Sequence, residues 1–313
     1  MNSKTLHASN FSWVDISKGF VICLMVIGHA SLPSAVARWI WSFHMPFFFI
    51  ISALFTNWDK YPVKEFIRRK SKVLLLPFIA YSLINLAVIP FALDVPHVGY
   101  AEEILCNGWG GIALWFVPVF FLSLVICKLV PGKYLVLAGF IFLVAGTMLS
   151  DSSISLPWTL SSVPYGAALM LISRYFKEAI RRWIESMPYT KWMTVIMAGA
   201  LVSLFISHFY RLDMACNQIM PAIPILAGVA GGFIFCVGLA HLLDKAPVIG
   251  RLLRHVGHNT YEVMALSQCS IMVCNRFFPE LSLAKYAVMI LILVMAVYAR
   301  KIIEGKFSKA EAI

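Results

Sequence analysis

Apolar runs of about 20 residues recur along the whole chain, and that recurrence limits the fold more than any single motif does. A helix rising 1.5 Å per residue needs about 20 mostly apolar residues to cross a hydrocarbon layer of about 30 Å. About ten such runs are present, over residues 15–33, 36–57, 73–92, 112–130, 134–150, 161–177, 191–210, 221–242, 259–277 and 283–300. Pro164 and Gly166 weaken the sixth. Of 313 residues, 60% are hydrophobic and 13% charged, with a mean hydropathy of +0.82. In lipid every backbone N–H and C=O must be satisfied within its own segment. The expected class is therefore all-α: a polytopic membrane protein of about ten transmembrane helices in a single domain over residues 1–313. Lys18 lies inside the first run and no small-residue cleavage site precedes the second, so the first helix is expected to remain in the product.

A formal charge of +11 suggests nucleic acid until the cations are placed against the runs. They fall on alternate connections. One side receives Lys4, then Lys60, Lys64, Arg68, Arg69, Lys70 and Lys72, then Lys128 and Lys133, then Arg174, Lys177, Arg181, Arg182 and Lys191, then Lys245, Arg251 and Arg254, and last Arg300, Lys301, Lys306 and Lys309. The other side carries Asp94, Glu102, Glu103, Asp151, Asp213 and Glu280, with Arg38, Arg211, Arg276 and Lys285 at its edges. Excess basic charge on one set of loops marks the cytoplasmic face, so both termini are expected in the cytoplasm and no nucleic-acid partner is expected. Among the outer connections only DVPHVGYAEEILCNGWGG, residues 94–111, has room for structure of its own, and its Trp109 suits an interfacial anchor. The seven cysteines form no C-x-x-C pair. Cys106 and Cys216 fall on the outer side, where a disulfide is chemically permitted, but sequence does not say whether they meet.

The first run, WVDISKGFVICLMVIGHA, contains Asp15, Lys18 and His29, all costly in hydrocarbon. At about 100° per residue, Lys18 and His29 return to within roughly 20° of one another, and they are separated along the axis by about 16 Å. Asp15 lies about 60° from Lys18. A plain account has Lys18 snorkelling to the interface, Asp15 as a carboxylate at the helix start and His29 at the helix exit, and for Asp15 alone it suffices. It does not account for a histidine and a lysine on one stripe, which mark a pathway or a site. His44, early in the returning run, reaches a similar depth.

The arrangement W-x-D-x-x-K-G, a lysine ten residues short of Gly28-His29, and then FHMPFFFIISA resembles the membrane acyltransferase-3 family. FIRRKSKVLLLPF, LWFVPVFF and VGHNTYEVMALSQ continue the likeness, which is close over the first 120 residues or so and looser beyond. The resemblance implies transfer of an acyl group, usually acetyl from cytoplasmic acetyl-CoA, to a hydroxyl of an envelope polysaccharide or lipid-linked sugar, in a bacterial inner membrane. It makes His29 the catalytic histidine and Lys18 the basic member of the motif, and matches Arg69 and Lys72 to a basic pair. Asp15 and His44 join the candidate catalytic residues by their positions, and the donor's phosphates need cations on the cytoplasmic side, where Lys18, Arg68, Arg69, Lys70 and Lys72 lie. Ala53 replaces a usual glycine, and Gln268 stands where many relatives have histidine, which puts a role for that end of the ninth helix in doubt.

The residue types fit that chemistry independently. A thioester is already activated, so a sugar hydroxyl needs a base and a donor for the developing oxyanion. No metal is expected, since His255 and His258 have no carboxylate or cysteine close in sequence to complete a site. Trp115 and Pro118 suit a cavity wall as well as plain packing, and Asn259 and Thr260 suit a helix cap as well as a ligand contact. The rival class is a transporter or channel using Lys18, His29 and His44 as a pathway, which should show internal symmetry and paired broken helices.

Overall fold

A computed structural model describes residues 12–29, 32–109, 112–152, 154–278 and 283–310, with side chains through 298 apart from Leu283 and Ala284. Lys4 and Glu280 lie outside the described residues, as do the side chains of Arg300, Lys301, Lys306 and Lys309. The first expected span is α1 (Ser12–Gly28). The second is not one helix but two, α2 (Ser34–Trp41) and α3 (His44–Phe55). Pro46 causes the division. It has no N–H to give and its ring opposes the carbonyl four residues back, whereas proline fits the first turn of a new helix. Phe43 absorbs the break at φ −135°, ψ −21°. His44 therefore opens a helix instead of lying inside one.

The chain continues as α4 (Val63–Leu93), α5 (His97–Asn107), α6 (Phe116–Leu129), α7 (Leu135–Asp151), α8 (Val163–Tyr175) and α9 (Lys177–Ser186). It ends with α10 (Tyr189–Phe209), α11 (Ala222–Leu243), α12 (Pro247–His258), α13 (Thr260–Phe277) and α14 (Leu283–Ala310). Short 3₁₀ turns, Ala113–Trp115 and Pro157–Ser162, lead into α6 and α8. The proline that weakened the sixth expected span, Pro164, sits in the first turn of α8, where it costs little. Helices α9 and α12 occupy stretches expected to be plain connections. Both are amphipathic: α9 buries Ile184 and leaves Arg182 exposed.

Among the described residues, five helical stretches are long and apolar enough to cross a membrane: Ser34–Phe55, Val63–Leu93, Gly132–Asp151, Tyr189–Phe209 and Ala222–Leu243. Ala113–Leu129 and Lys285–Tyr298 are apolar but shorter. The stretch Ser34–Phe55 is 67% buried, against 17% for both Val63–Leu93 and Gly132–Asp151. So α3 is central, while α4 and α7 form an outer wall that shows Leu76, Leu83, Phe140 and Ile141 to the surroundings. An apolar surface over an apolar core leaves little hydrophobic drive for sorting helices, and close packing does the work instead. In α10 and α11, a Cβ on Gly199 or Gly231 would lie 2.7 Å from the other's carbonyl oxygen. In α1 and α12, a Cβ on Gly19 would overlap the Leu253 carbonyl, and one on Gly257 the Asp15 carbonyl.

The two ends of the bundle are tied differently. At the Lys18 end, Lys128 donates to the Trp58 carbonyl, Lys177 to that of Thr56 (3.0 Å), and Arg174 to those of Cys127 and Val130 (2.5 and 3.1 Å). At the His29 end the connections close over the core. Trp109, expected as an interfacial anchor, is 1% exposed and donates to Ser82 Oγ at 3.0 Å. Beside α5, the 210–221 loop also has structure of its own: it folds back on itself, pairing Asp213 with Gln218 through backbone bonds of 2.9 and 2.8 Å. Cys106 and Cys216 are both free.

Candidate active site

The face of α1 expected from helical spacing is the face that lines two cavities. Val14, Lys18 and Ile22 line one, of about 330 Å³; Met25 and His29 line the other, of about 220 Å³. The spacing of 4, 4, 3 and 4 residues is one continuous helical stripe. Met45 of α3 lines both cavities and stands between them. The 3₁₀ turn and α6 divide in the same way, with Ala113 and Trp115 on the histidine cavity and Phe116, Val117 and Phe120 on the other. Trp115 is thus a cavity wall. In α13, Thr260, Tyr261 and Met264 face the Lys18 cavity, and Gln268, one turn further, reaches His29.

The two histidines lie against the same cavity with ring centroids 6.4 Å apart and planes nearly perpendicular. Their remaining bonds assign their protons. The Ala113 N–H donates to Gln268 Oε1, so the amide nitrogen of Gln268 is the atom 3.3 Å from His29 Nδ1. A donor there makes Nδ1 an acceptor and leaves the neutral ring's proton on Nε2. His44 Nδ1 lies 3.0 Å from the Ile40 carbonyl, which can only accept, so His44 carries its proton on Nδ1 and has a lone pair on Nε2. The pair offers one N–H and one lone pair.

Sequence reasoning did not find the other polar members of this cavity. Arg211, Asp213, Met214, Ala215 and Cys216 of the 210–221 loop line it. The Arg211 guanidinium is 3.0 Å from Asp213 Oδ2 and 5.9 Å from the centre of the Trp41 ring. Asp213 Oδ1 accepts the Cys216 N–H at 3.3 Å, and the Ser162 hydroxyl holds the Met214 carbonyl. Burial, with the nearby Asp213 carboxylate, pushes the Cys216 thiol up, so a thiolate nucleophile is disfavoured there.

At the opposite end three of the expected cations, Lys18, Arg68 and Arg69, are held in ion pairs. Lys18 Nζ is 2.6 Å from Asp15 Oδ1, and His258 Nε2 is 3.2 Å from Asp15 Oδ2. The carboxylate that His258 lacks in sequence comes from α1. Glu65, eight residues before the start of the expected third span, pairs with Arg68 at 2.9 Å and Arg69 at 2.6 Å. Lys72 is exposed. Of Lys18, Arg68, Arg69 and Lys72, only Lys18 lines the cavity. Asn259 donates to the His255 carbonyl at 2.6 Å, while Thr260 faces the Lys18 cavity.

Compared with known proteins, the chain matches the family model described as an acyltransferase domain over residues 11–299. No curated protein and no solved structure matches it. The match runs from α1 into α14 and decides against the transporter class that the lysine and histidines left open. A lysine and a histidine on one stripe, two cavities meeting at Met45 and a family model spanning nearly the whole length lead to one statement: the chain belongs to the membrane acyltransferase-3 family.

Proposed function

We propose that the protein is an O-acetyltransferase of a bacterial inner membrane, taking acetyl from cytoplasmic acetyl-CoA and placing it on a hydroxyl of an envelope polysaccharide or lipid-linked sugar. The observation that carries this reading is the pair of cavities meeting at Met45, one opening beside Lys18 and the other holding His29 and His44. Lys18 receives a donor phosphate at the cytoplasmic mouth, exchanging or sharing Asp15, and the apolar wall of Ile22, Phe48, Phe116 and Phe120 suits a pantetheine arm. From Lys18 to His29 is about 16 Å along the helix, a span that an extended arm covers.

Transfer then needs one proton acceptor and one oxyanion donor. His44 Nε2 takes the proton as the acceptor hydroxyl oxygen bonds to the thioester carbon. His29, its Nδ1 occupied by Gln268, offers Nε2–H to the carbonyl oxygen as it gains charge. The C–S bond breaks, the CoA thiolate recovers the proton from the His44 imidazolium, and the products are an O-acetyl ester and CoA. Both histidines are required, so the expectation of a single base at His29 becomes a division of work within the pair. Mass analysis of envelope polysaccharides from cells with and without the gene tests the reading. An acetyl substituent that disappears with the gene, and does not return with His29→Ala, supports it. An unchanged acetyl content contradicts it.

A further inference from the structure

The 210–221 loop supplies the charged side chains of the histidine cavity, and their arrangement bears on what enters. Arg211 and Asp213 are the charged residues lining it among those described, and they neutralise each other at 3.0 Å. Asp213 is held from both sides: its backbone pairs with Gln218, and its second carboxylate oxygen takes the Cys216 N–H. Leu212, Met214 and Ile219 are 2%, 3% and 0% exposed, so the loop is packed into the protein and not draped over it. Trp41 lines the same space, and its buried indole N–H has no partner among the described residues. Trp115 faces the cavity from the 3₁₀ turn.

We propose that Arg211 and Asp213, with Trp41 and Trp115, form the acceptor subsite, and that it takes a single uncharged sugar ring at the end of its chain. This rests on the transferase reading above. A carboxylate and a guanidinium already satisfied by each other can still exchange hydrogen bonds with a sugar's hydroxyls, and aromatic faces suit its C–H surfaces. A uronic acid or phosphorylated sugar would instead bring its anion against Asp213, with the Arg211 charge already spent, and like charges in a partly dry site repel strongly. At about 220 Å³ the cavity is smaller than the roughly 300 Å³ at which sites for drug-sized ligands begin, which admits one ring and not an oligosaccharide.

The test uses the purified full-length chain, labelled acetyl-CoA, and p-nitrophenyl glucoside, N-acetylglucosaminide and glucuronide as probes. The wild type should acetylate the two neutral glycosides at least about tenfold better than the glucuronide, the size of one charge-assisted hydrogen bond. Asp213→Asn keeps an oxygen for the Cys216 N–H but frees Arg211. It should move the glucuronide-to-glucoside ratio about tenfold toward the glucuronide, a reversal that a merely structural role for the loop does not produce. Arg211→Ala should raise the acceptor KM with the CoA-induced rise in Tm unchanged. Equal use of all three probes, use of none by a protein that binds CoA, or an unchanged ratio in Asp213→Asn would overturn the subsite alone. Absence of CoA binding by the wild type would overturn the transferase reading beneath it.

Discussion

The two halves of α1 hold polar groups by opposite means. Around Lys18 the groups are partly exposed and paired: Asp15 sits between Lys18 and His258, with 26% of the Asp15 side chain exposed, 28% of Lys18 and 59% of His258. Around His29 the imidazoles are tied to neutral partners, the Gln268 amide and the Ile40 carbonyl, and His44 is 5% exposed. Charge is tolerated where water can reach it, and deeper in the helix bundle polarity survives as neutral, hydrogen-bonded rings. The difference teaches which half can do which task. A mouth of exchangeable ion pairs suits a phosphate that must bind and leave. A pair of rings with fixed tautomers suits proton transfer.

Each of the following changes breaks or sharpens that contrast, and the largest effect is expected at the histidines. His29→Ala and His44→Ala should each lower acetyl transfer per folded molecule by about 10² to 10⁴. Substantial turnover in either would remove that ring from the mechanism. Next, Met45→Trp should wall one cavity from the other and cost on the order of 10² in transfer, since a misplaced reacting group loses about that much; CoA titration and a melting curve separate this from misfolding. Gln268→Glu keeps an oxygen for the Ala113 N–H but presents an acceptor to His29, reversing its tautomer. Transfer should fall about tenfold with the melting curve retained, the loss expected for one hydrogen bond to the transition state. Wild-type turnover there would refute the assigned tautomers. Glu65→Gln should be the smallest, with no measurable change in Tm, because its partners Arg68 and Arg69 are more than half exposed.

Much of this was legible along the chain, and the remainder shows what linear reading lacks. The stripe from Val14 to His29 follows from 3.6-residue periodicity, which one helix imposes regardless of its neighbours. The break before His44 was not foreseen, since residues 36–57 read as one span, although Pro46 lacks the backbone donor that an unbroken helix needs. Glu65 was missed because the third span was begun at residue 73; once α4 starts at Val63, Glu65 falls three and four residues from Arg68 and Arg69. Gln268 was noticed as a departure from the family pattern, but its contact with His29 joins residues 239 apart and depends on α13 lying beside α1. Arg211, Asp213 and Cys216 were assigned to a side of the membrane but not to the histidine cavity, because that neighbourhood is made by tertiary packing. The stripe within α1 was foreseen, and the residues that tertiary packing delivers to the cavity were not.

The central claim is that donor binding and group transfer are separated along α1. The most direct measurement is calorimetric titration of CoA into purified Lys18→Ala and His29→Ala, beside their transfer rates. Lys18→Ala should weaken CoA binding by about 10- to 150-fold, the equivalent of one charge-assisted contact at about 1.5 to 3 kcal/mol. His29→Ala should bind CoA within about twofold of the wild type, a change under 0.5 kcal/mol, while transferring almost nothing. Equal loss of CoA binding in both variants, or retained transfer in His29→Ala, would contradict the separation.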